Sequence, residues 1–112
     1  MDNADNPVLF DQYSIAHVLG SASLYLFLAS VCKEKKKEMA VLAFAISVFY
    51  ECNDYYRAYI RPKDGKNSLD NSIADILCNA IGILSVIYLD IPVNYKTAIF
   101  LGILCILLLN LN

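Results

Sequence analysis

Apolar residues run along this chain in four blocks, separated by short polar breaks. The blocks cover about 13–32, 39–58, 70–89 and 97–111. A helix crossing ~30 Å of hydrocarbon needs about 20 residues, within a range of roughly 17–25. The first three blocks fit that length. The fourth is short, and a span there thins the bilayer or sits at its edge. The breaks are Lys33–Glu38, Arg61–Asn67 and Asp90–Asn94, rich in charge, Pro, Gly and Asn. Ser68 or Asn71 can cap the third helix. Short connections make successive helices antiparallel. The pattern therefore predicts an all-α, integral membrane bundle of four transmembrane helices with antiparallel neighbours, forming one domain over 1–112.

Composition strengthens the membrane expectation. Hydrophobic residues make up 58% of the 112 residues and charged residues 18%. Soluble domains average roughly 45–50% and about 25%, and a chain this short has little interior in which to hide the excess. Disorder is excluded by the same numbers. A formal net charge of −2 and the absence of a long basic tract argue against nucleic acid as a partner. Cys32, Cys52, Cys78 and Cys105 are widely spaced and read as small apolar residues rather than a disulfide framework. Tyrosines cluster at Tyr50, Tyr55, Tyr56 and Tyr59, and Tyr88 and Tyr95 flank the third break, as in an interfacial aromatic belt. The acidic start, Met1–Pro7, lacks the basic n-region of a cleaved signal peptide, so the first helix is expected to stay. The lysine-dense first break is expected on the cytoplasmic side. That places a multi-pass protein in a membrane, a bacterial inner (plasma) membrane by preference.

Ionisable residues inside apolar helices are costly and mark functional sites by default. Here they are His17, Glu51, Asp54 and Asp75, with Asn79 one turn beyond Asp75. His17 lies about one turn into the first helix, Glu51 near the end of the second and Asp75 about one turn into the third. Antiparallel neighbours bring all three to one depth. Ser47, Glu51 and Asp54 share a face at i, i+4 and i+7. Asn71, Asp75, Asn79 and Gly82 do so at i, i+4, i+8 and i+11. His17 is followed by Gly20 and Ser21 on its own stripe. The bland alternative is interhelical polar glue. The functional one is a shared site, in which His17, Glu51, Asp75, Asp54 and Asn79 do general acid–base work. Arg57 and Arg61 follow in the chain, and guanidinium groups suit a phosphate headgroup. His17, Glu51 and Asp75 can also hold a divalent cation.

At these residues the chain resembles the VanZ-like family of small membrane proteins, named for a glycopeptide (teicoplanin) resistance protein. The resemblance rests on His17, Glu51, Arg61 and the D-x-x-x-N-x-x-G pattern of Asp75-Ile76-Leu77-Cys78-Asn79-Ala80-Ile81-Gly82. It spans about Asp11 to Leu89. Asp54 stands where that family's pattern has a glutamine, and Asp11 lies farther from the histidine than the family's early acidic residue. The resemblance implies a membrane bundle with a polar site near one surface, and little about a reaction. The resulting expectation is a protein that binds or acts on lipid or cell-envelope phosphate headgroups. Its alternative is a non-enzymatic subunit of a membrane assembly, a homo-oligomer or a phage-type small membrane factor. An ion path is less well supported, because the polar residues stop in one leaflet. No Ser-His-Asp or Cys-His nucleophile motif is present, and Cys52 beside Glu51 is a weak candidate.

Overall fold

The computed structural model describes residues 12–60 and 69–110, and those residues form four α-helices and one short 3-10 turn with no strand. Helix α1 covers Gln12–Val31, α2 Lys36–Ile60, α3 Leu69–Tyr88 and α4 Tyr95–Leu109. A single 3-10 turn, Lys33–Lys35, joins α1 to α2. The polar break expected over Lys33–Glu38 is thus shorter than its charge suggests. Lys36, Lys37 and Glu38 are good helix formers, and they open α2 instead of preceding it. Likewise α3 begins at Leu69, so Asn71 falls inside its first turn rather than capping it. Ser68, the Arg61–Asn67 break and Met1–Pro7 lie outside the described residues.

The turn between α3 and α4 has a clear cause. Asp90 sits in the left-handed region at φ 56°. The amide of Ile91 donates to the carbonyl of Val86, and that of Asp90 to Ile87. This is a Schellman cap with aspartate at the position glycine usually takes. Ile91 then packs against the core cluster that contains Val86, and Pro92 prevents helical continuation. Asn94 caps α4, its Oδ1 accepting from the Thr97 amide at 2.8 Å and from the Thr97 hydroxyl at 3.0 Å.

Helix α1 is the hub. It packs most extensively on α4 and α3 and also on α2, while α2 packs on α3. Helix α4 touches neither α2 nor α3 along its described residues. Directions follow from the cross-contacts. Cys105 Sγ donates to the Ala16 carbonyl at 3.3 Å, Ser23 Oγ to the Ala98 carbonyl at 2.7 Å, and the Phe27 and Tyr95 rings lie 5.8 Å apart. Residue numbers rise along α1 as they fall along α4, so the two are antiparallel. Along α3 they rise together with α1, from His17 opposite Asp75 to Ser21 opposite Gly82. The bundle runs up-down-up-down.

Small and polar side chains fill much of the interior, around a core cluster that includes Tyr25, Leu26, Ile83 and Val86. Ala16, Ala22, Ala29, Ala43, Ala74 and Ala98 are buried, together with Ser14, Ser21, Ser30, Ser47 and Ser72. Small residues let helix backbones approach closely. One close approach is at Gly82, where a Cβ would collide with the Val18 carbonyl oxygen and the Ser21 hydroxyl. Large apolar side chains point outward instead: Phe27 on α1, Val41 and Phe49 on α2, Leu77 and Leu84 on α3, Phe100 and Leu107 on α4. Among the described residues one helix, over Ser14–Val31, is both long and apolar enough to cross a membrane. Ser72–Tyr88 and Tyr95–Leu109 are apolar but shorter.

Candidate functional site

The hub arrangement builds a site at the end of the bundle remote from the 3-10 turn. His17 lies in the second turn of α1, Glu51 is two and a half turns from the end of α2, and Asp75 is in the second turn of α3. In the triangle formed by these helices, His17 stands between the two carboxylates. Its Nδ1 is 3.7 Å from Glu51 Oε2 and its Nε2 is 3.4 Å from Asp75 Oδ2. One ligand atom from each of the three lies within 4.8 Å of the others.

Burial differs sharply among them. The Glu51 side chain is 1% exposed, Asp75 12% and His17 26%. Glu51 is one of the two largest fully buried side chains, the other being Leu26. Neither Glu51 carboxylate oxygen accepts a hydrogen bond. The Ser72 hydroxyl, one turn before Asp75, is also buried without a partner. A buried polar atom normally finds a hydrogen bond, and one left unmade costs about 1–3 kcal/mol, more for a charged group.

Beside the triangle lies a half-open cavity of about 450 Å³. It occupies the gap between α2 and α4, which have no contact of their own, and α1 forms its floor. His17, Glu51, Asp54, Ser47 and Asn79 give it a polar end, and Leu24, Ile46, Cys105 and Leu109 an apolar flank. Asp54 is half-buried and Asn79 fully buried, both on the cavity wall. Ser47 makes its own bond back to the Ala43 carbonyl at 3.0 Å. Chemically, an imidazole between two carboxylates can move a proton or ligate a cation, and the cavity can admit a ligand to it.

All five residues expected to share a site, His17, Glu51, Asp54, Asp75 and Asn79, come together in the triangle or on the adjoining cavity wall. Arg61 lies outside the described residues, and of Arg57 only the helical backbone is described. Helix α4, short and almost uniformly apolar in sequence, also contributes: Cys105 and Leu109 wall the cavity. The available signal was the face formed by Ala98, Gly102, Cys105 and Leu109 at i, i+4, i+7 and i+11, smaller than the rest of that helix. Tyr50, assigned to the aromatic belt, also lines the cavity. No family model matches this chain, and no curated protein or solved structure matches it either.

Proposed function

We propose that the chain is a multi-pass membrane protein of VanZ-like type that binds the phosphate headgroup of a lipid or cell-envelope amphiphile at the His17–Glu51–Asp75 centre. Two features support the membrane part. Large apolar side chains cover the outside of all four helices, whereas monomers in water rarely expose a contiguous apolar patch beyond a few hundred Å². Much of the interior is meanwhile small and polar, as in bundles held by close backbone approach and interhelical hydrogen bonds.

The single observation that carries the headgroup reading is the cavity itself. Its polar end reaches His17 and Glu51, and its apolar flank runs along α1 between α2 and α4. That shape suits an amphiphile entering sideways, with its chain in the gap and its headgroup at the bundle end. Arg57 and Arg61 follow Glu51 along the chain, and guanidinium groups suit a phosphate.

Native mass spectrometry of the full chain in detergent tests this. Phosphatidic acid and diacylglycerol with the same acyl chains are offered together. Selective retention of phosphatidic acid, lost on His17→Gln, is the expected result. Equal retention of both lipids, or retention indifferent to His17, overturns the reading.

A further inference from the structure

We propose that one nitrogen of His17 and one carboxylate oxygen from each of Glu51 and Asp75 hold a single divalent transition-metal ion, of the Zn²⁺ or Mn²⁺ class. The inference deepens the headgroup reading by naming what brings an anion to an acidic centre. The ion's purpose rests on that reading, but its presence does not.

Glu51 is the first reason. Its carboxylate is withdrawn from water, points at His17 and accepts no hydrogen bond. Ionised there, the carboxylate is an uncompensated buried charge that costs several kcal/mol, and a cation in the triangle supplies the missing partner. The second reason is distance. A charge-assisted N–H···O bond closes to about 2.7–2.9 Å. The two histidine–carboxylate separations are 3.7 and 3.4 Å, too open for an imidazolium clamped between two carboxylates. Ligands about 2.0–2.1 Å from a tetrahedral Zn²⁺ stand about 3.4 Å from one another by simple geometry. With Nε2 as the ligating nitrogen, its 3.4 Å to Asp75 equals that edge, and one ligand atom from each of the three residues lies within 4.8 Å of the others.

The donor set is the third reason. One imidazole and two carboxylates suit Zn²⁺ or Mn²⁺, whereas Mg²⁺ prefers oxygen ligands alone. Only one ring nitrogen ligates. The other then faces the remaining carboxylate oxygens, the orientation that outer-shell carboxylates give to ligating histidines. Three protein ligands leave coordination positions open. His17 and Glu51 border the cavity, so an open position there can receive a phosphate oxygen, and the ion's charge offsets the repulsion between that phosphate and the carboxylates.

The test uses the full chain in detergent, stripped with chelator, dialysed and titrated with Zn²⁺ or Mn²⁺ alone, with no phosphate lipid added. The expected result is one equivalent bound. Affinity should fall by about 10-fold or more in His17→Gln, Glu51→Gln and Asp75→Asn, while Asp90→Asn, on the exposed α3–α4 turn, binds like the parent. Co²⁺ provides a readout that needs no variant: the parent protein should develop visible ligand-field bands of a low-symmetry site. Failure of the parent to bind an equivalent of any of the three ions overturns the proposal, as does binding that survives all three ligand substitutions. The two readings separate cleanly. Metal bound without selective phosphatidic acid retention sinks the headgroup reading alone. Phosphatidic acid retained without any bound metal sinks the ion alone.

Discussion

At the scale of single residues, Glu51 and Gly82 fix opposite aspects of the bundle. Glu51 places a carboxylate where no hydrogen bond reaches it, so replacing it with the uncharged Gln should raise the melting temperature of chelator-treated protein. With Zn²⁺ present at about 100 times its Kd, the parent should gain roughly 2.7 kcal/mol and Glu51→Gln almost none. A melt with and without metal reads both signs, and destabilisation by Glu51→Gln in chelator would mean that the carboxylate has a protein partner. Gly82 does the reverse: it permits contact. Gly82→Ala drives a methyl into the Val18 carbonyl and the Ser21 hydroxyl, and α1 and α3 must separate. The expected loss is about 1–3 kcal/mol, typical of overpacking, and parting α1 from α3, which carry His17 and Asp75, should also weaken metal binding. The depth shared by His17, Glu51 and Asp75 was legible in the sequence because each lies near the end of an apolar run, and alternating helix direction sends those ends to the same side.

Among the elements, the α3–α4 turn offers the sharpest check. Asp90 holds a left-handed conformation that costs a non-glycine residue roughly 1 kcal/mol. Asp90→Gly should therefore stabilise the protein by about 0.5–1 kcal/mol in chemical or thermal denaturation, and Asn94→Ala should cost about 1 kcal/mol through the lost cap. The turn's place was readable from Asp90 to Asn94, since aspartate, proline and asparagine each terminate or start a helix for a separate local reason. The α1–α2 joint was not, because a run of lysines and glutamates is as good in a first helical turn as in a loop. The role of α4 was hidden for another reason. Periodicity tells which face of a helix is small, but not which neighbour it meets. That α4 docks on α1 alone, and leaves a gap beside α2, depends on how the helices are ordered around the hub.

For the molecule as a whole, the arrangement of charge makes a prediction about sidedness. Lys33, Lys35, Lys36 and Lys37 gather at the 3-10 turn, and the His17 centre occupies the other end. For the membrane bundle proposed above, the positive-inside tendency predicts the lysine turn on the cytoplasmic side. Membrane-impermeant thiol labelling of intact cells should then miss Lys36→Cys and reach Lys63→Cys, with the four native cysteines replaced by alanine or serine. Labelling of Lys36→Cys from outside would invert the bundle. The proposed headgroup site would then open towards the cytoplasm.

The hub has a consequence for how the chain is made. Ser23 and Ala16 on α1 find their α4 partners 75 and 89 residues away in sequence, so the most extensive interface is also the most distant one. During synthesis α1 emerges first of the four and keeps its Ala16–Gly20–Ser23 groove uncovered until α4 has followed. Any delay there exposes a small-residue seam to another copy's α4, which carries the matching face. Two nascent chains on one polysome could thus exchange their fourth helices, and crowding of the message with ribosomes should raise the yield of the exchanged dimer.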